Sequence, residues 1–146
     1  MTYMLDTDTL IYLIRNRPPS VSERLNSLAG DDAVCMSFVS WAELLKGAEG
    51  STRKDEVLRR LAGLARAIPV RYPEHSGICT HYATHAARLK AAGRPIGGND
   101  LWIASHALAE RATLVTRNHG EFSRIEGLAL EDWSEDPGDR TSARTR

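Results

Sequence analysis

Four polar residues stand at positions where a folded chain could bring them together: Asp6, Glu43, Asp100 and Asn118. Asp6 directly follows a short apolar strand, and Asn118 lies just past the end of another. Glu43 and Asp100 fall near the starts of predicted helices. Because ligands of open parallel sheets bind beyond the carboxyl ends of the strands, all four side chains can be placed at one sheet edge.

Three carboxylates at one edge would need a counter-charge. Without it they would repel one another and raise one another's pKa values. A bound cation relieves the repulsion, and hard oxygen ligands favour Mg²⁺ or Mn²⁺ over zinc. Such an ion can activate water and hold a phosphate in line for displacement. The residue types therefore point to phosphate-ester hydrolysis.

The segment 95–108 must position one of these acids. Gly97 and Gly98 allow backbone shapes that a Cβ would forbid, which predicts a relaxed turn. Asn99 is a good N-cap, and Asp100 then falls in the first turn, where the helix dipole favours a carboxylate. The rest of the segment is apolar on most sides, which predicts a buried helix. Starting this helix is an alternative role for Asp100.

The other acids also have structural alternatives. Asp6 and Asp8 could cap a helix. Glu43 fits a capping box with Ser40, in which each side chain satisfies a backbone N–H at the helix start. Asn118 could be a turn residue, since asparagine tolerates a left-handed backbone. Sequence spacing alone leaves both interpretations of each residue open.

Strands alternate with helices along the chain, which predicts an α/β fold with a mostly parallel central sheet covered by helices on both faces. Residues 1–133 form one predicted domain, and the polar residues 134–146 form a predicted disordered tail. The predicted strands are 2–5, 33–38, 68–70, 112–116 and 128–130. The predicted helices are 8–15, 21–29, 41–45, 51–67, 73–92, 100–108 and 121–125, with Thr7 or Asp8, Ser20 and Ser40 as caps of the first three. The third is expected to end near Gly47.

The formal net charge is zero, but it is unevenly distributed. Residues 46–94 carry ten Lys and Arg against four acids, whereas the segments on both sides are net acidic. A basic middle beside acidic segments is compatible with a polyanionic partner held next to an acidic site. Solvated helix faces would produce the same pattern.

The two cysteines and the N-terminus predict a soluble protein of the reducing cytoplasm. Cys35 lies in an apolar run and is expected to be a core residue, and nothing suggests a disulfide framework with Cys79. The first residues lack the basic and apolar regions of a signal peptide, and no apolar run approaches the length of a membrane span.

Four segments, taken in order and spacing, resemble the PIN-domain ribonucleases of the VapC toxin type. They are MLDTD at 4–8, SWAELLKG at 40–47, IGGND with IASHA within 96–107, and LVTRN with EF within 114–122. The resemblance covers residues 3–133. It implies a PIN-like fold and a Mg²⁺- or Mn²⁺-dependent endoribonuclease that serves as the toxin of a toxin–antitoxin pair.

Carried over position by position, the resemblance implies that Asp6, Glu43 and Asp100 are the metal-binding and catalytic acids. The fourth position of the family is often Asp and is Asn118 here. An amide is a weaker, neutral ligand, so the resemblance leaves open whether one metal or two act. Asp8 replaces a frequent Asn or Ser and could accept a hydrogen bond from metal-bound water.

The resemblance also implies partners. The substrate would be RNA, either tRNA or ribosomal RNA, and the basic middle segment and Arg117 could hold flanking phosphates. A cognate VapB-type antitoxin would direct a cationic side chain, often Arg, towards the acids, where a guanidinium can replace the cation. Homodimers are usual in the family.

Three alternatives remain. In a HAD-like phosphatase, Asp6 would be the nucleophile and Asp8 the acid/base, but that fold needs a later pair of acids, and the 98–100 segment offers one. A non-catalytic binding module could keep the fold, although the intact acids argue against it. A zinc site on the long helix would require four residues that fall on two different helix faces: His75, Cys79, His81 and His85.

Overall fold

The computed structural model describes residues 1–135, so the part of the predicted disordered tail from residue 136 onward lies outside the described residues. No helix in the described range is long and apolar enough to cross a membrane. The strands are β1 (Thr2–Leu5), β2 (Ala33–Ser37), β3 (Val70–Arg71), β4 (Thr113–Val115) and β5 (Leu130–Glu131). The helices are α1 (Thr7–Arg15), α2 (Pro19–Asn26), α3 (Phe38–Glu49), α4 (Lys54–Ala67), α5 (Gly77–Ala91), α6 (Gly98–Ala109) and α7 (His119–Phe122).

The five strands form one parallel sheet in the order β3-β2-β1-β4-β5, which confirms the predicted fold class. Leu5 at the end of β1 is in register with Met36 of β2 and Val115 of β4. The residues that follow these three positions therefore come to one edge of the sheet. They are Asp6, Ser37 and Thr116.

Two apolar layers cover the sheet because successive strand residues point to opposite faces. Leu5 packs with residues of α1 to α4, such as Leu10 and Leu61. Met4 packs on the other face with residues of α5 to α7, such as Ile103. Cys35 is buried in this second layer, as predicted. Helices therefore lie on both faces.

Several helices start at residues other than the predicted ones. Asp6, and neither Thr7 nor Asp8, caps α1. Helix α2 begins at Pro19 without a side-chain cap, so the prediction for Ser20 is wrong. Ser37 rather than Ser40 caps α3, which does not end near Gly47 but continues to Glu49. For α1 and α3, a strand leads directly into the helix, and the residue at the junction is the cap.

Elements later in the chain also start at residues other than the predicted ones. Helix α5 begins at Gly77, four residues after the predicted start at Pro73. Helix α6 begins at Gly98 with Gly97 at the N-cap, so Asn99 does not cap it. Asn118 is the side-chain cap of α7. The last strand follows its predicted position by two residues at its start.

Candidate active site

Asp6 lies at the carboxyl end of the central strand and is buried. Its Oδ1 accepts a hydrogen bond of 2.9 Å from the backbone N–H of Thr9, and this bond caps the start of α1. Its carboxylate also bonds the side chain of Thr116. Burial raises the pKa of Asp6 and the nearby charge of Asp8 adds to the rise, whereas the hydrogen bonds from the two threonines oppose it. The capping role and a role in the site are therefore compatible.

Glu43 faces the start of α1. It lies in the second turn of α3, and its Oε1 accepts a hydrogen bond of 2.8 Å from Thr7 Oγ1. The same Thr7 oxygen is 3.1 Å from Ser40 Oγ. Ser40 is buried inside the helix rather than at its start, so the predicted capping box with Glu43 does not form. Glu43 is thus turned to the neighbouring helix that Asp6 begins.

Asp100 is the third residue of α6 and is half-buried. Burial is the largest cause that raises its pKa, to about 6, followed by the charges of four other acids. In decreasing order of effect these acids are Glu121, Glu43, Asp6 and Asp8. The site therefore collects five carboxylates, and Asp100 is the one whose ionisation the others oppose.

The two glycines before Asp100 are not required by the space around them. A Cβ on Gly97 would lie 3.9 Å from Asp100 Oδ2, an ordinary van der Waals distance, and a Cβ on Gly98 would meet nothing within 4 Å. Gly97 has φ −57° and ψ 146°, which any residue can adopt. The backbone freedom that these glycines allow is therefore not used in this structure.

The side chain of Asn118 forms two hydrogen bonds with Glu121. Its Oδ1 accepts from the backbone N–H of Glu121 at 3.3 Å, and its Nδ2 donates to Glu121 Oε2 at 3.2 Å. Its own backbone N–H donates to Thr116 Oγ1 at 2.9 Å. Sequence reasoning did not single out Glu121 as a site residue. The sequence feature that could have identified Glu121 is the spacing of a helix-cap residue, Asn118, and an acid three positions later.

Arg117 is exposed beside the acids. Its Nη1 donates to Tyr12 Oη at 3.3 Å, and this bond is the largest cause that raises the pKa of Arg117, with smaller contributions from the charges of Asp132 and Asp8. Arg117 and His119, the two neighbours of Asn118, also line a cleft of about 840 Å³ that reaches Arg24. The cleft itself carries mixed charge, since four acids also line it and Arg24 pairs with Glu131 at 3.1 Å: Glu23, Glu131, Asp132 and Glu135.

The donor set fits a hard cation in its chemistry, because the side chains gathered around Asp100 offer carboxylate oxygens. Within residues 1–135, however, no three His, Cys, Asp or Glu side chains are arranged to hold one ion. Hydrogen bonds from Thr9 and Thr7 instead occupy oxygens of Asp6 and Glu43. The absence of such an arrangement within residues 1–135 includes the zinc alternative on α5, where the rings of His81 and His85 stack with centroids 6.5 Å apart.

Comparisons with known proteins agree with this architecture. The PIN domain family matches residues 3–128. Ribonuclease VapC1 of Haemophilus influenzae is 48% identical over 92% of this chain and 99% of its own length. The tRNA(fMet)-specific endonuclease VapC of Shigella flexneri is 39% identical with the same coverage.

Solved structures show the same similarity. VapBC-1 from nontypeable Haemophilus influenzae superposes with a TM-score of 0.87 at 47% identity, covering 92% of this chain and 100% of that one. VapBC2 from Rickettsia felis, bound to a DNA fragment from their promoter, has a TM-score of 0.85 at 37% identity, covering 91% and 99%. HAD-like phosphatases are therefore not the family of this protein. The chain belongs to the PIN domain family, and within it to the VapC ribonucleases.

Proposed function

We propose that this protein is a Mg²⁺- or Mn²⁺-dependent endoribonuclease that acts as the toxin of a toxin–antitoxin pair. The observation that carries the proposal is the meeting of acids from four elements around Asp100, whose pKa their charge and burial raise to about 6. A site that works against its own ionisation gains most from a cation. The VapC relatives named ribonucleases and endonucleases support RNA as the substrate.

Asp6, Glu43 and Asp100 would hold the ion, and Glu121 is the fourth acid beside them. Side-chain rotation would have to draw these carboxylates together, and each is within electrostatic range of Asp100. When bound, the cation would activate water and offset the charge that develops on the phosphate. Asn118 orients Glu121 through its Nδ2, and Asp8 is placed to accept an outer hydrogen bond.

The chain's own cations would position the RNA. Arg117 is exposed, and its guanidinium, which bonds Tyr12 Oη at 3.3 Å, has the five N–H donors that suit a phosphate. We assign Arg117 to a phosphate next to the scissile one. The Shigella flexneri relative makes tRNA the first RNA to test.

The partner would be a VapB-type antitoxin, supported by the similarity to VapBC complexes. The charges of four carboxylates that act on Asp100 provide the electrostatic reason for such a partner to present a cation. A guanidinium can pair with two oxygens at once and so compete with a metal ion. We also propose that the toxin works as a homodimer in the cytoplasm, where its RNA substrate is found.

The experiment expresses the full chain in bacteria with and without the antitoxin encoded beside it. Growth arrest is expected only without the antitoxin, and Asp100→Asn should abolish it, while Asp31→Asn, an exposed aspartate on a distant turn, should leave it intact. With purified protein, RNA cleavage should require Mg²⁺ or Mn²⁺ and stop with a chelator.

Arrest or cleavage that survives Asp100→Asn would overturn the assignment of the acids. Cleavage that persists in a chelator would overturn the metal dependence. If the purified chain binds RNA but never cuts it, the non-catalytic binding module becomes the better description. Sequencing the new RNA 5′ ends then tests tRNA against ribosomal RNA as the substrate.

A further inference from the structure

A second cluster of polar groups lies behind the acids, in the protein interior. His106 of α6 is fully buried, and its Nδ1 is 2.9 Å from the Oγ of Ser37, which is fully buried as well. Ser37 Oγ also accepts from the backbone N–H of Val39 at 3.2 Å, as the cap of α3. The hydroxyl hydrogen of Ser37 is not used in that contact and can be donated to Nδ1.

The other side of the imidazole faces an ion pair. His106 Nε2 lies 3.6 Å from Glu110 Oε1, beyond hydrogen-bonding distance, and Glu110 Oε2 accepts from Arg71 Nη1 at 3.0 Å. Phe38 packs edge-on against the imidazole with ring centroids 5.7 Å apart. Burial lowers the pKa of His106, which keeps the ring neutral and able to accept the Ser37 hydrogen. The ring proton is then on Nε2, which has no hydrogen-bond partner among the described residues, so Ser37 and Phe38 are the contacts that hold the ring.

The position of this contact relates it to the site. Ser37 precedes Glu43 by six residues along α3, and His106 follows Asp100 by six residues along α6. Glu43 and Asp100 interact electrostatically across the same pair of helices. The Ser37–His106 and Glu43–Asp100 contacts therefore run in opposite order along α3 and α6, as expected for antiparallel helices. Fixing the first contact thus also fixes which residues of the two helices stand opposite each other at the second.

We infer that His106 is a positioning residue, whose hydrogen bond to Ser37 fixes the register of α3 against α6 and thereby the spacing of Glu43 and Asp100 for a divalent cation. This role rests on the proposed function, since it concerns the same site. It is exerted from inside the core, because neither His106 nor Ser37 has access to solvent or substrate. Few other polar bonds join the two helices in the described residues.

The test measures Mn²⁺ binding to the full chain by electron paramagnetic resonance, without RNA. His106→Leu should weaken Mn²⁺ binding about tenfold, the low end of the range for residues that support metal ligands. His106→Asn keeps a polar atom near the Nδ1 position and should restore most of the affinity. Ser37→Ala should weaken binding like His106→Leu, and the double variant should be no weaker than either alone.

The matched control is Ser105→Ala. Ser105 neighbours His106 on α6 and is equally buried, but within residues 1–135 its hydroxyl bonds Leu101 O of its own helix, at 2.7 Å, and no residue of α3. It should lose stability without losing Mn²⁺ affinity. If His106→Leu does not fold, Ser37→Ala and His106→Asn carry the test.

The outcomes separate the two proposals. Wild-type affinity in His106→Leu and Ser37→Ala, or additive losses in the double variant, would overturn the positioning role while Asp100→Asn still abolishes binding. If the wild-type chain itself does not bind Mn²⁺, or Asp100→Asn binds it unchanged, the proposed function fails instead. A loss in Ser105→Ala equal to that in His106→Leu would assign the effect to general destabilisation and would also overturn the inference.

Discussion

Asp100 is the residue at which stability and the proposed chemistry conflict. Its folded-state pKa of about 6 lies above the value near 3.9 expected for an aspartate in the unfolded chain. Between these two values the folded chain binds more protons than the unfolded chain. The free energy of unfolding therefore falls as the pH rises from about 4 to about 6, and the whole cost is present at neutral pH.

Asp100→Asn should therefore stabilise the metal-free protein at about pH 7.5. After allowance for solvent screening of this half-exposed group we expect a gain of about 1 kcal/mol, and the gain should shrink towards about pH 4. Urea denaturation in a chelator at both pH values measures it, with Asp31→Asn as control. A variant less stable than the wild type at neutral pH would contradict the electrostatic account.

Ionisation of Asp100 also sets a pH dependence for cation binding. A protonated carboxyl is a poor ligand, so Mn²⁺ affinity should fall as the pH drops through about 6. Calorimetric titration over that range, at constant ionic strength, measures the change. An affinity that is flat across this range would show that Asp100 does not titrate in the metal-free protein as its surroundings require.

Glu121 provides the next test at this scale, because its charge is the strongest of the four that act on Asp100. Glu121→Gln should weaken Mn²⁺ binding about tenfold. Glu126→Gln is the matched control: it lies one helical turn and a loop further on, paired with Arg88 away from the acids. Unchanged binding in Glu121→Gln, with loss in Asn118→Ala, would make Asn118 the ligand instead.

At the scale of elements, the sequence predicted the alternation of strands and helices but not which residue starts each helix. Asp6, Thr7 and Asp8 are all acceptable caps, as are Ser37 and Ser40. The choice depends on where the strand ends, which the pairing of β1 with β2 and β4 decides. The pattern of neighbouring residues in the sequence does not indicate which strands pair or where they end.

The same limit explains what was missed at the candidate site. Asp6, Glu43 and Asp100 could be placed at one edge because each follows a strand or begins a helix. The hydrogen bond of His106 joins residues that are 69 positions apart, so no spacing pattern reports it. From the sequence alone, His106 is one residue of an apolar helix, and its contact exists only because α3 packs against α6.

The extension of α3 through Gly47 leads to a prediction. Gly47 is exposed inside the helix and a Cβ there would meet nothing within 4 Å, so Gly47→Ala should stabilise the protein by about 1 kcal/mol. Gly93 is the counterpart, with equal space but φ +67°, and Gly93→Ala should cost about 1 kcal/mol. Thermal and urea unfolding compare the two. Destabilisation by Gly47→Ala would place the helix end before Gly47.

For the whole molecule, the acids of the site lie apart from one basic helix face. The acids gather at the carboxyl edge of the sheet, whereas the basic middle of the chain folds into the end of α3, α4, β3 and α5. Four of its ten cations pair with acids there: Lys54, Arg60, Arg71 and Arg88. Helix α4 presents Arg59 and Arg66 two turns apart on one face, both exposed. A zero net charge therefore conceals a distribution that can attract RNA to one region while the acids bind a cation in another.

If α4 contacts RNA phosphates, its cations should contribute to the salt dependence of binding. In an Asp100→Asn background, where the RNA stays intact, replacing Arg59 and Arg66 by Ala should weaken binding of labelled tRNA at low salt. The slope of log affinity against log salt should fall by about 1.4, since each single-strand phosphate contact contributes about 0.7. Arg15→Ala, an exposed arginine at the end of α1 in an acidic segment, is the control. If Arg15→Ala alone lowers the slope by as much as one phosphate contact, about 0.7, the attraction is diffuse. If the double α4 variant leaves the slope unchanged, the basic face of α4 is an ordinary solvated helix face and the RNA contacts Arg117 instead.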